Sequence, residues 1–126
     1  VLALDDWSVV KTIKTPGPGF FMRSHEKTPF AWTDGMLGPT KDTMAIIDKK
    51  TLEVVKTITP SPGKTAAHVE FDKEGGKVLV SIWEDPGELI IYDAATFAEL
   101  KRIPMRKPSG KYNVFNKINF SDGTSH

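Results

Sequence analysis

The sequence predicts an all-β protein built from four-stranded antiparallel units that recur along the chain. An identical repeat, Val-Val-Lys-Thr-Ile, occurs at residues 9–13 and again at residues 54–58, an offset of 45 positions. Residues 46–58 align at the same offset with residues 91–103, and each copy contains an Asp-x-x-Thr link. Short β-branched and aromatic segments alternate with Gly, Pro, Asp and Lys. Periods of about 40–50 residues with several short strands are typical of β-propeller blades.

Each period contains four segments with strand character. They lie at residues 20–25, 30–33, 44–48 and 53–59 in the first period, and at residues 68–71, 77–83, 88–93 and 98–103 in the second. The Asp of each Asp-x-x-Thr link can accept backbone N–H bonds, which predicts a tight turn between the last two strands. A helix after that link is disfavoured by the β-branched residues and the flanking prolines.

The repeat length also predicts how the chain is organised. In 126 residues, a period of 45 gives two whole blades at about residues 20–59 and 68–103. A leading outer strand is predicted at residues 8–14, and residues 105–126 form a tail. Propellers close with about four to eight blades, and an open arc leaves strand edges unpaired. We therefore expect a partial propeller, completed by the other blades of a longer protein or by self-association.

Composition excludes several classes of partner. Lys and Arg number 17 against 16 Asp and Glu, so a net charge of +1 gives no strong attraction to nucleic acid or anionic membranes. The chain has no Cys and therefore no thiolate metal site or Cys nucleophile. No apolar run approaches the roughly 18 residues that span a bilayer. We expect neither nucleic-acid binding nor membrane insertion.

Two residues occupy equivalent positions where one blade leads into the next. His68 follows the glycine-containing segment 62–67, at the predicted start of an innermost strand that would face the central channel. Tyr112 lies in segment 107–117, which has the same placement after the second blade. A phenol there can hydrogen-bond, ligate a metal or transfer a proton. The alternatives are an ordinary structural or surface histidine and a packed tyrosine ring.

Arg23 and two tryptophans complete the candidates. Arg23, near the start of the first blade, can pair with a ligand carboxylate or be a solvated strand residue. Trp32 and Trp83 are each followed two positions later by an Asp, and we expect both rings to fill the space between blades. Hydrolase, zinc-protease, phosphate-loop and covalent-heme motifs are absent from the sequence.

Several motifs occur together in a fixed order: Phe-Met-Arg-Ser-His at residues 21–25, Trp-x-Asp at 32–34, Ser-x-Trp at 81–83, and Pro-Ser-Gly-Lys-Tyr-Asn-Val-Phe-Asn at 108–116. Together they resemble the heme d1-binding propeller shared by cytochrome cd1 nitrite reductases and the related proteins that mature heme d1. The resemblance covers essentially the whole chain. It implies an eight-bladed β-propeller, of which about two to three blades would be present here.

Within that family, the combination of His68 and Tyr112 resembles the maturation branch. The nitrite reductase pattern has Phe in place of Tyr112 and no histidine at position 68. The resemblance implies a periplasmic oxidoreductase of denitrifiers that converts a dihydro-heme d1 precursor to heme d1. His68 would be an axial iron ligand, and Tyr112 would lie beside the propionate that is desaturated to an acrylate.

The same resemblance implies further cofactor contacts. Arg23 and Lys111 would hold tetrapyrrole carboxylates, and Trp83 and Asn113 would also line the cofactor site. The tetrapyrrole iron and a c-type heme outside this chain would accept the electrons, so we expect the chain alone to be inactive.

Two other functions stay open on the sequence. The chain could belong to the d1 domain of a cytochrome cd1 nitrite reductase. It could also be a non-enzymatic YVTN-like propeller that serves as a binding or scaffold module. In that case His68 and Tyr112 would be incidental.

Overall fold

The computed structural model describes residues 1–109, which form two four-stranded antiparallel sheets connected in simple meander order. The first sheet contains β1 (Met22–Ser24), β2 (Phe30–Asp34), β3 (Met44–Asp48) and β4 (Glu53–Ile58). The second contains β5 (Ala66–Phe71), β6 (Lys77–Ile82), β7 (Gly87–Asp93) and β8 (Glu99–Met105). Contacts between the sheets run from β5 to β1 and β2, as expected for inner strands around a common axis. The prediction of an all-β partial propeller is confirmed.

The turn after the third strand has the same structure in both blades. Asp48 Oδ1 accepts the backbone N–H groups of Lys50 and Thr51, each over 2.8 Å. Asp93 Oδ1 accepts those of the two residues at the equivalent positions, over 2.9 and 2.8 Å. The fourth residue after each Asp has a left-handed backbone, and the ladder beside each turn carries a bulge. The Asp-x-x-Thr turn was therefore correctly predicted, and the helical alternative was wrong.

The core lies between the two sheets. Trp32 in β2 is fully buried, and its ring packs against Tyr92 at 5.6 Å and Phe97 at 5.9 Å between centroids. Phe30 meets the Phe97 ring edge-on at 4.8 Å. Apolar side chains of β3, β5, β6 and β7 fill the remaining space. Because side chains of both blades contribute to one core, neither sheet buries its apolar face alone.

A buried histidine joins the blades at one end of the sheets. His25 Nδ1 accepts the N–H of Lys27 over 3.1 Å, so its Nε2 carries the proton and donates to the Lys73 carbonyl oxygen at 3.1 Å. Gly75, in the β5–β6 turn, has φ of 72° and lies against the His25 ring. We call this end, with the turns at residues 25–29, 49–52, 72–76 and 94–98, the hairpin end.

Arg102 in β8 links the outer strand to the segment between the blades. Its guanidinium donates to Glu88 over 2.6 Å, to the Ser61 hydroxyl over 2.7 Å and to the Pro60 carbonyl over 2.8 Å. Bonds from the Ser61 hydroxyl and Arg102 hold the pKa of Glu88 below its ordinary value. The network therefore ties residues 60–61 to the second blade.

Residues 8–14 differ from the sequence prediction of a leading outer strand. They form no strand, and Val9 makes only an isolated bridge with Leu2. Residues 4–6 form a turn, so the backbone of residues 8–11 bonds to that of residues 1–3 and not to a neighbouring sheet. Throughout residues 1–109, no helix is long and apolar enough to cross a membrane.

Candidate functional site

The candidate site lies at the end of the sheets opposite the hairpin end. Here the starts of β1, β3, β5 and β7 meet the ends of β2, β4, β6 and β8, because every pairing is antiparallel. We call it the site end. It comprises segments 16–21, 35–43, 59–65 and 83–86 together with the first residues of β5.

Hydrogen bonds between these segments fix the entry of β5. The N–H of Ala66 donates to the Lys41 carbonyl oxygen at 2.9 Å, and the N–H of Gly63 donates to Asp42 Oδ2 at 2.8 Å. Glu84 Oε1 accepts both the N–H and the hydroxyl of Thr65, each over 2.9 Å. The loop between the blades is thereby held on both sides before the chain reaches His68.

His68 lies inside β5 rather than at its start. The sequence places the strand at residues 68–71, whereas it begins at Ala66, so His68 is its third residue. The β5–β6 register pairs Ala67 with Ser81 and Glu70 with Leu79, which leaves one extra residue on β5. Such a bulge re-aims side chains and is common beside active sites. The sequence gives no sign of it.

The bulge gives His68 an unusual backbone and a buried ring. Its φ is 52°, in the left-handed region that costs an L-residue about 1–2 kcal/mol. The residue is 3% exposed. Its imidazole packs against the Phe21 ring of the first blade, with centroids 4.6 Å apart and planes at 54°. His68 is therefore held by surrounding structure in a conformation that the chain alone disfavours.

The carboxylate of Asp34, at the end of β2, is the main acceptor at the site end. Its Oδ1 accepts the N–H groups of Phe20 at 2.9 Å and Met36 at 3.3 Å, and its Oδ2 accepts that of Phe21 at 3.1 Å. The backbone N–H of His68 bonds to the same carboxylate. Burial raises the pKa of Asp34 above its ordinary value, although these four hydrogen bonds oppose the shift. One buried carboxylate thus contacts backbone from both blades.

Arg23 lies between the inner strands and faces a protein carboxylate. Its Nε is 3.8 Å from Glu70 Oε2, and the two side chains are 24% and 5% exposed. The other Glu70 oxygen accepts the N–H of Phe71 at 2.8 Å. Arg23 is therefore a half-buried cation with an acidic neighbour, not a solvated strand residue. Its predicted bond to a ligand carboxylate stays a prediction.

The two tryptophans occupy different environments. Trp32 fills the space between the blades, as the sequence predicts. Trp83 comes directly after the end of β6. Its backbone N–H donates to the Thr65 carbonyl oxygen at 2.8 Å, and Lys107 Nζ lies 6.0 Å from the centroid of its ring. Within residues 1–109 its buried indole N–H has no hydrogen-bond partner. The shared Trp-x-Asp spacing does not place the two rings at equivalent positions.

The remaining predicted site residues, Lys111, Tyr112 and Asn113, lie outside the described residues. Sequence reasoning missed Phe21 and Asp34 as site residues, although both belong to motifs that it identified. Asp34 had a usable sequence signal, because an Asp directly before Gly at the end of a strand often binds backbone N–H groups.

The donors present are suited to an iron tetrapyrrole. Within residues 1–109, no three His, Cys, Asp or Glu side chains cluster to hold a bare metal ion. A tetrapyrrole supplies its own four equatorial nitrogens, so one imidazole is a sufficient axial protein ligand. In the described part of the chain, the site end contains one imidazole, that of His68, with the apolar ring of Phe21 beside it. The donor set at the site end therefore fits such a group.

Residues 1–117 match the family model of the cytochrome D1 heme domain. The chain belongs to this family. Over all 126 residues it is 54% identical to dihydro-heme d1 dehydrogenase of Pseudomonas aeruginosa, of which it covers 26%. The solved structure of dihydro-heme d1 dehydrogenase NirN in complex with DHE matches 94% of the chain with a TM-score of 0.88 and 53% identity.

Two other relatives are more distant. The chain is 31% identical over 112 residues to protein NirF of Pseudomonas aeruginosa, covering 87% of the chain and 28% of that protein. It is 29% identical over 135 aligned positions to a nitrite reductase of Stutzerimonas stutzeri, covering 90% of the chain and 24% of that protein. The chain thus spans about a quarter of the length of these relatives.

Proposed function

We propose that the chain is part of the tetrapyrrole-binding propeller of a heme d1 maturation oxidoreductase, which converts dihydro-heme d1 to heme d1. His68 would be an axial ligand of the iron, and Arg23 and Lys111 would hold carboxylates of the macrocycle. Trp83 and Asn113 would line the same site.

The placement of His68 carries the proposal. An imidazole at a bulge of an inner strand, with a left-handed backbone and an aromatic neighbour, is a costly arrangement for a residue of no function. It occurs in a chain that is 54% identical to a dihydro-heme d1 dehydrogenase. Identity to the nitrite reductase is 29%, so the comparison gives less support to the alternative that the chain belongs to a nitrite reductase.

The chemistry is a two-electron dehydrogenation of the substrate. Desaturation of a propionate to an acrylate removes two protons and two electrons and forms one C=C bond. Tyr112 would assist removal of a proton, and the tetrapyrrole iron together with a c-type heme outside this chain would accept the two electrons. We expect residues 1–126 alone to be inactive for this reason, and we place the whole protein in the periplasm.

Visible spectroscopy of the protein that contains this chain, mixed with dihydro-heme d1, tests the proposal. His68→Ala is expected to change the Soret and long-wavelength bands, and Tyr112→Phe is expected to slow desaturation. His25→Gln is the matched control, because His25 lies at the hairpin end. Unchanged bands in His68→Ala would remove His68 as a ligand. Nitrite turnover without desaturation would identify a nitrite reductase. Absence of tetrapyrrole binding would support the non-enzymatic scaffold instead.

A further inference from the structure

We propose that Asp34 is a positioning residue for His68: its carboxylate fixes the backbone at His68 and at Phe21, and so sets the orientation of the imidazole. This inference rests on the proposed function, because it gives Asp34 a role through the axial ligand. Asp34 itself would touch neither the iron nor the macrocycle.

The bulge in β5 creates the need for such a residue. The β5–β6 register shifts between Ala67 and Glu70, so the bulge interrupts the regular ladder at His68. His68 is 3% exposed, which also removes water as a ready partner. An unsatisfied N–H buried in this way costs about 1–3 kcal/mol. The Asp34 carboxylate supplies the acceptor from the neighbouring blade.

The Asp34 carboxylate also fixes Phe21, whose ring packs against the His68 imidazole. Asp34 Oδ2 accepts the N–H of Phe21 at 3.1 Å, and the Phe21 carbonyl oxygen accepts the N–H of Asp34 at 3.2 Å. A methyl group at Gly19 would overlap the Asp34 carbonyl oxygen, so the segment before Phe21 lies directly on the Asp34 backbone. Asp34 therefore holds Phe21, and with it the ring that packs against His68, through both its carboxylate and its backbone.

A carboxylate is the only side chain of this size that satisfies all four donors. Its two oxygens offer about four acceptor positions and no hydrogen. An Asn of the same shape offers one oxygen and directs two donors at backbone N–H groups. Asp34→Asn therefore removes hydrogen bonds while it changes side-chain volume very little. This makes it a sharp test of the role.

The test compares dihydro-heme d1 binding by the protein that contains this chain, as wild type and as Asp34→Asn. Loss of a group that orients a metal-binding histidine typically weakens affinity about 10–100-fold, and we expect a loss in that range together with shifted visible bands. Asp93→Asn is the matched control, because Asp93 also accepts two backbone N–H groups, at an exposed turn of the hairpin end. Circular dichroism checks that each variant is folded.

A double-mutant cycle separates positioning from general destabilisation. In His68→Gly, added free imidazole is expected to restore an axial nitrogen that is not attached to the backbone. If Asp34 acts mainly through His68, Asp34→Asn has a smaller effect on the bands in that background. An equal effect in both backgrounds would overturn the proposal.

The outcomes distinguish the two proposals. If His68→Ala changes the bands and a folded Asp34→Asn does not, the positioning role is wrong and the proposed function stands. If His68→Ala leaves the bands unchanged, the ligand role fails and the positioning role falls with it. If Asp34→Asn does not fold, Asp34→Glu replaces it, with a smaller shift in the same direction expected. Wild-type bands and affinity in Asp34→Glu would overturn the positioning role.

Discussion

The ring of Phe21 in the first blade lies 4.6 Å from the imidazole of His68 in the second, with the planes inclined at 54°. The contact crosses between blades that are otherwise joined at the site end by backbone and carboxylate hydrogen bonds. It makes the environment of the histidine depend on both blades. Substitutions in either blade should therefore change the NMR signals of the His68 imidazole.

Phe21→Leu is expected to loosen this contact at modest cost in stability. Leu keeps most of the apolar volume but removes a ring pair worth about 1 kcal/mol. The His68 ring proton signals should move downfield in NMR spectra as the ring current of Phe21 is lost. Phe20→Leu is the control, because Phe20 is 71% exposed. Identical His68 shifts in the two variants would contradict the structure.

Three glycines, at positions 63, 75 and 76, allow the effect of backbone strain to be distinguished from that of steric overlap. Gly63 has φ of 77° with open space around its α-carbon, and Gly75 has φ of 72° with the His25 ring against it. Gly76 has neither constraint. We expect Gly63→Ala to cost about 1 kcal/mol and Gly75→Ala about 3 kcal/mol. Gly76→Ala should be neutral or slightly stabilising.

Thermal unfolding of the three glycine variants measures their order of stability directly. The expected order of Tm is Gly76→Ala at or above wild type, then Gly63→Ala, then Gly75→Ala. A Gly75→Ala protein no less stable than Gly63→Ala would show that the His25 ring does not occupy the space beside Gly75. Loss of the His25–Lys73 bond in Gly75→Ala would also weaken the link between the blades at the hairpin end.

The regular part of the fold was predictable because it depends on local patterns. The offset of 45 residues and the Asp-x-x-Thr links located every strand to within a few residues, and residues 44–48 were placed without error. These signals reside in single strands and turns. Residues 8–14 show the limit: residues 9–13 have the same sequence as residues 54–58 of β4, but this segment bonds to residues 1–3 instead of joining a sheet.

The candidate site was predictable only in part. His68 was identified from its place after a glycine-containing link, but its bulge and left-handed backbone arise from pairing with β6 and contact with the first blade. Asp34 binds the His68 backbone from a position 34 residues away in sequence, and no local pattern encodes that contact. Such contacts between blades appear only when the sheets are assembled.

Arg102→Gln is expected to destabilise the protein more than Arg106→Gln. Arg102 bonds to Glu88, Ser61 and Pro60, whereas Arg106 bonds to Asp85 with the two side chains 87% and 52% exposed. Exposed pairs contribute little, and bonds to partly buried charged groups contribute more, so we expect a difference of about 1 kcal/mol at neutral pH. Equal unfolding midpoints for the two variants would contradict this network.

The same substitution should reduce the acid sensitivity of the protein. The pKa of Glu88 lies below its ordinary value of 4.5, chiefly through the Ser61 hydroxyl bond and then through Arg102. Its stabilising contribution is therefore present above pH 4.5 and is lost as pH falls through the lowered pKa. In Arg102→Gln the pKa of Glu88 should rise toward 4.5, so less stability is lost below that pH. Parallel unfolding curves measured from neutral to acid pH check this.

Tyr92 is expected to ionise late in an alkaline titration. Burial raises its pKa from 10 to about 12, and the nearby Glu99 carboxylate adds to the shift. Because the folded state holds the phenol proton more tightly than the unfolded chain, the contribution of Tyr92 to stability is complete below pH 10. It is lost as pH rises from 10 through about 12. The tyrosinate absorbance in the ultraviolet reports this step.

Tyr92→Phe should remove the late step and leave the rest of the titration unchanged. It should also flatten the loss of stability between pH 10 and about 12. The Phe ring keeps the packing against Trp32, whose centroid is 5.6 Å from that of Tyr92, so stability at neutral pH should change little. Trp32→Phe should lower the Tm because it opens space in the core between the blades. A Tyr92 that ionised near pH 10 in the folded protein would mean that solvent reaches this core, and that the two blades are not packed as described.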